Sequence, residues 1–113
     1  MDQEQISRIN KMEANLDAAR DAVDRLSSAI DQYEAAQKKY FELEEYYCSR
    51  QWRKDFEDDE AGRLPEDLKR GVLSEDAVYD LITEHSDLIL RMNRVALSAM
   101  AEDRIRRDKE QSK

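Results

Sequence analysis

From Ile9 onward, apolar residues return every three or four positions and settle into a seven-residue register. One line of this seam is Ile9, Leu16, Val23 and Ile30; the other is Met12, Ala19, Leu26, Tyr33, Tyr40 and Tyr47. Steps of three and four keep such side chains on one face of a helix. Past Ile30 the first line meets Gln37 and Glu44, and Ala36 and Leu43 take over one position earlier, so the stripe swings around the helix. No Gly or Pro occurs before Gly62. The pattern predicts one helix over about residues 3–48, roughly 70 Å long at about 1.5 Å per residue. Its stripe needs a cover, and Ala18, Ala19, Ala22 and Ala29 leave room for a close partner helix.

A second helical pattern opens at Ser74. Ser74 is suited to cap the first turn, Glu75 and Asp76 complement the helix dipole, and Leu73 and Val78 are spaced for a hydrophobic staple across the cap. The stripe then runs through Val78, Leu81, Ile82, Leu88, Ile89, Met92 and Val95 to Ala99, with helix signals to about Arg107. Residues 108–113 are expected to fray. His85 lies on the seam line between Val78 and Met92; with Leu81 and Ile89 one turn away on either side, it has no local metal-binding companion.

Residues 49–73 between these helices form a connector much longer than a helical hairpin needs. Ser49 is placed to cap a short helix carrying Trp52 and Phe56 on one face, and Gly62 to end it. Leu64-Pro65 turns the chain, Pro65 suits the first position of a further short helix over Glu66 to Arg70, and Gly71 would end that helix. The expected fold is all-α: two long antiparallel helices, hairpin-like or coiled-coil-like, joined by a compact connector in a single domain over residues 1–113. Two chains pairing into a four-helix bundle is a further expectation.

The run Tyr46-Tyr47, Ser49, Trp52, Asp55-Phe56, Asp59-Glu60, Gly62, Leu64-Pro65 and Leu68 to Asp76 resembles the signature of a family of small bacterial helical proteins that is known as a domain of unknown function. The resemblance extends over about residues 5–95. It implies a bacterial or phage source and the same helical fold, and it carries over no activity and no functional residue.

Composition narrows the function classes. Charged residues make up 41% of the 113, with only two Gly and one Pro, which suits charge-laced helices and not a sheet. The net charge is −8, spread unevenly: residues 1–60 hold 16 acids and 9 bases, whereas residues 91–113 hold 7 bases and 4 acids. An acidic chain is poorly matched to a phosphate backbone, so nucleic acid is an unfavoured partner. Mimicry of nucleic acid by the first helix is weakened by its interspersed Arg8, Lys11, Arg20 and Arg25. The lone Cys48 supplies neither an internal disulfide nor a thiolate metal site. The first ten residues lack a signal-peptide pattern, and no apolar run approaches the ~18 residues of a membrane span, so a cytoplasmic location is expected.

No Gly-rich phosphate loop, zinc motif or serine elbow occurs, and Cys48 with His85 is the only nucleophile–base pairing on offer, so an enzyme is not expected and no cofactor is implied. Three readings of the connector remain. It closes the end of the helical pair through Trp52, Phe56, Leu64, Leu68, Val72 and Leu73, packed against Tyr40 and Tyr47. It presents an interaction patch of Tyr46, Tyr47, Trp52, Phe56, Lys69 and Arg70, the residue types that anchor interfaces. Or Asp55, Asp58 and Asp59, at i, i+3 and i+4 with Glu60 following, hold Mg²⁺ or Ca²⁺ or respond to a small ligand. The leading expectation is a non-catalytic protein–protein interaction module, a bacterial or phage regulator or inhibitor, with another protein or a second copy as partner.

Overall fold

The computed structural model describes residues 2–112. Its order is α1 (Gln3–Tyr47), α2 (Arg50–Glu60), a 3₁₀ turn (Gly71–Leu73) and α3 (Glu75–Gln111). The fold is therefore all-helical, with two long helices joined by a compact connector, and no strand occurs among the described residues. The chain forms two compact units that divide between Glu42 and Leu43.

The first unit is the greater part of α1. Asp2 opens the helix, its carboxylate accepting the Glu4 backbone N–H at 3.0 Å. On the flank, Arg20 and Asp24 pair at 3.0 Å and Arg25 and Asp21 at 3.1 Å, one turn apart and solvent-exposed. Such pairs add a few tenths of a kcal/mol each, about 0.3–0.5 kcal/mol. No residue of α1 is buried. The seam residues Ile9, Met12, Leu16, Val23, Leu26 and Ile30 are 44% to 61% exposed.

The second unit begins with the last turn of α1 and contains the connector and α3. Ser49 breaks the backbone into an extended conformation, and its hydroxyl oxygen accepts the Trp52 N–H at 3.2 Å to start α2. The same hydroxyl donates to the Tyr46 carbonyl at 2.5 Å, tying the end of α1 to the start of α2. The C-terminus of α2 closes with two bonds, Gly62 N–H to Asp59 O at 3.0 Å and Arg63 N–H to Asp58 O at 2.9 Å. This paired arrangement needs a left-handed residue between, which Gly62 supplies at φ 72°. Ser74 caps α3 through the Ala77 N–H at 3.1 Å, with Glu75 and Asp76 in the first turn. The staple residues flanking that cap, Leu73 and Val78, are the core, 6% and 4% exposed.

Three details differ from the sequence expectation. Residues Glu66 to Arg70 are a turn and not a helix: one bond, Leu68 N–H to Pro65 O at 3.2 Å, closes it. The carbonyls of Pro65 and Glu66, which a helix would offer to N–H groups one turn on, accept instead from the Arg70 side chain at 2.8 and 3.1 Å. Gly71 accordingly opens the 3₁₀ turn and does not terminate a helix. Second, Leu68 and Val72 are exposed and take no part in the buried core. Third, α3 continues to Gln111, past the expected end near Arg107. Arg106 pairs with Glu102 at 3.2 Å and Arg107 with Asp103 at 3.1 Å, and Ser112 caps the final turn.

Candidate interaction surface on the connector

The aromatic residues of the connector form a ladder across the junction of α1 and α2. The Tyr47 ring meets the edge of Trp52 at a centroid distance of 4.9 Å and 66°, and Trp52 stacks on Phe56 at 5.1 Å and 16°. Trp52 and Phe56 are one turn apart on α2, so the helix itself puts them in register. Ser49 determines where that helix starts and hence which face carries them. All three rings are half-buried, so each keeps part of its surface toward solvent.

Their polar atoms are already occupied. The Trp52 indole N–H donates to the Val72 carbonyl at 2.9 Å, drawing the loop after Pro65 onto α2. The Tyr47 hydroxyl donates to the Glu75 carbonyl at 3.3 Å. The Tyr46 hydroxyl donates to the Asp55 carboxylate at 2.6 Å. Partial burial, and then the hydrogen bond and charge of Asp55, push the Tyr46 phenol up to about 12, which keeps it a neutral donor. What this surface offers a partner is therefore ring area and not free hydrogen-bonding groups.

Arg70 is bonded within the connector. Its guanidinium reaches the Asp59 carboxylate at 2.6 Å, the carbonyls of Pro65 and Glu66, and the Leu68 carbonyl at 3.4 Å. It clamps its own loop to α2. Lys69, its neighbour, is exposed.

The three carboxylates at i, i+3 and i+4 diverge to separate partners. Asp55 accepts from Tyr46, Asp58 pairs with Arg63 at 3.0 Å and Lys54 at 3.9 Å, and Asp59 takes Arg70. Among the described residues, no group of three or more His, Cys, Asp or Glu side chains is placed to hold a metal ion. An open depression does lie beside Phe56 and Leu73, edged by Asp59, Glu60, Arg70, Glu75 and Asp76. In the sequence, Glu75 and Asp76 signal only the first turn of α3. The turn that brings them near Asp59 is closed by Arg70 and by the indole, and neither contact leaves a local sequence signal.

Among the described residues, no helix is long and apolar enough to cross a membrane. No curated protein and no solved structure matches the chain. Residues 9–95 match the family described as Domain of unknown function (DUF4298), a span that takes in the α1 seam, the whole connector and the first half of α3. This span covers more than half of the chain, and the chain belongs to the DUF4298 family.

Proposed function

We propose that the chain is a non-catalytic protein-interaction module, working as a regulator or inhibitor in a bacterial or phage-infected cytoplasm. One observation carries this reading: over the part of the α1 seam from Ile9 to Ile30, the large apolar side chains Ile9, Met12, Leu16, Val23, Leu26 and Ile30 are all exposed and none is buried. A narrow a/d seam is the surface that a helix of another protein covers by knobs-into-holes packing. The Tyr47, Trp52 and Phe56 rings are a second contact area, and Lys69 of the connector is exposed.

The test is capture of partners by the tagged chain from bacterial lysate, compared with Leu16→Glu/Leu26→Glu. Both residues are exposed, so the variant keeps its connector, which Trp52 fluorescence checks. The expected result is a stoichiometric protein retained by the wild type and lost by the variant. Identical captured sets would sink the reading. The alternative, a metal- or ligand-responsive protein, draws only on the depression edged by Asp59, Glu60, Glu75 and Asp76. A thermal shift by Mg²⁺ or Ca²⁺, abolished in Glu60→Gln/Glu75→Gln, would favour it instead.

A further inference from the structure

The α1 seam is bordered on each side by a row of flanking residues. One row follows the second seam line: Glu13, Arg20, Ser27 and Glu34. The other precedes the first line: Arg8, Asn15, Ala22 and Ala29. These rows stand against whatever helix covers the seam, so their charges decide which helix fits and in which direction. Arg20 is paired with Asp24 at 3.0 Å, whereas Arg8 and Glu13 have no ion-pair partner among the described residues. Ile9, Val23 and Ile30 place β-branched side chains on the first line, with Leu26 on the second, a choice that favours two parallel strands.

In a parallel, in-register pair, each residue of the preceding row meets the residue five positions later in the other chain. Two copies of α1 then set Arg8 of each chain beside Glu13 of the other, and Asn15 beside Arg20. Ala22 and Ala29 carry no charge, so unlike charges meet at both Arg8 positions and like charges meet nowhere along the flanks. An antiparallel copy that overlays the same seam, with Ile9 beside Tyr33, sets Glu13 of each chain against Glu34 of the other. The flanks of α1 are thus complementary to α1 itself in one orientation.

We propose that α1 pairs with α1 of a second copy of this chain as a parallel, two-stranded coiled coil over residues 9–33. This rests on the reading of the seam as a surface that a helix covers, and it names that helix. The contact is isologous and closed, so it stops at two chains. It lies wholly within the first unit of the chain.

Sedimentation equilibrium on the full chain, at micromolar concentrations and low salt, tests it. The wild type is expected at twice the chain mass. Glu13→Arg and Arg8→Glu each turn both attractions into repulsions, and each alone should weaken the dimer about fivefold or more. Mixed in equal amounts the two variants should pair again, because each chain supplies the charge that the other lacks. A monomeric wild type overturns the proposal. So does a Glu13→Arg chain that associates as tightly as the wild type or tighter, the result that relief of Glu34 in an antiparallel pair would give. Cross-linking reads the orientation independently. In a Cys48→Ser background, Ala19→Cys in the seam is expected to link to its own copy on oxidation, and Ala14→Cys on the opposite face is not. No self-link through Ala19→Cys, or equal linking through Ala14→Cys, overturns the parallel pair. A monomeric chain that still captures another protein would end this proposal alone, and a dimer that captures none would end only the reading of a foreign partner.

Discussion

Removing the Arg70 side chain tests whether the connector is held by a clamp or merely by its turn residues. The guanidinium makes four contacts: the Asp59 carboxylate at 2.6 Å, the Pro65 and Glu66 carbonyls at 2.8 and 3.1 Å, and the longer Leu68 carbonyl at 3.4 Å. Hydrogen bonds involving a charged group contribute about 1.5–3 kcal/mol each where solvent is excluded. Here the Arg70 side chain is 34% exposed and Asp59 18%, which screens the pair. The four bonds also share one side chain and do not add, so Arg70→Ala is expected to cost about 2–3 kcal/mol in all. Arg70→Lys should recover little, because an ammonium cannot reach a carboxylate and three carbonyls from one plane. A double-mutant cycle with Asp59→Asn should show a coupling of about 1 kcal/mol, the share that belongs to the ion pair. The assay is urea unfolding followed by the fluorescence of Trp52, the only tryptophan, whose indole is bonded to the same loop at Val72. An Arg70→Ala transition displaced by less than about 0.5 kcal/mol, or an Arg70→Lys protein as stable as the wild type, would refute the clamp.

Other consequences are more local. Ser74→Ala removes the cap on the Ala77 N–H at 3.1 Å and should destabilise the start of α3 by about 1 kcal/mol in the same urea assay. The two glycines should respond differently: an added Cβ meets nothing within 4 Å at either, but Gly62 sits at φ +72°. Gly62→Ala should therefore cost about 1 kcal/mol, while Gly71→Ala should be neutral or stabilise by up to about 1 kcal/mol through a less flexible unfolded chain. For Tyr46, a folded value of about 12 against an ordinary 10.0 means that the fold holds the proton more tightly than the unfolded chain does. Its contribution to stability is complete below pH 10 and is lost as the pH rises from 10 to 12. Absorbance titration should show a tyrosine step near pH 12, and Tyr46→Phe should abolish it.

What could be read from the sequence is what short-range chemistry decides. The caps at Ser49 and Ser74, the stop at Gly62 and the Leu73/Val78 staple each involve residues within about five positions, and each is where the pattern put it. The heptad line of α1 likewise located that helix to within a residue at its end. The connector's interior was less legible because side chains there do work that the backbone would otherwise do. Pro65 followed by Glu-Asp-Leu-Lys-Arg reads as a helix start, yet a guanidinium takes the carbonyls and the helix does not form. The acids at 55, 58 and 59 look like a ligand set on a helical wheel, but Tyr46, Arg63 and Arg70 approach from three different segments. The contacts of Arg70 with Asp59 and the Pro65 and Glu66 carbonyls are illegible for the same reason: the partners of a long charged side chain cannot be read from its own neighbours in sequence.

The distribution of burial also bears on how binding and folding are linked. The core residues Leu73 and Val78 belong to the connector and its cap, whereas the broad apolar surfaces belong to the long helices. A helix satisfies its own backbone hydrogen bonds, so α1 and α3 can present an open apolar face without leaving polar groups unpaired. A partner that covers such a face meets an already ordered segment and loses less affinity to ordering than one that must fold a disordered tail. It also adds its binding energy to the stability of a helix that the connector alone supports weakly. Substitutions on the open faces should therefore abolish association while leaving the connector's unfolding transition in place, and substitutions in the connector should shift that transition whether or not a partner is bound. A substitution of Leu16 or Leu26 that unfolds the connector would contradict this separation, because both side chains are exposed.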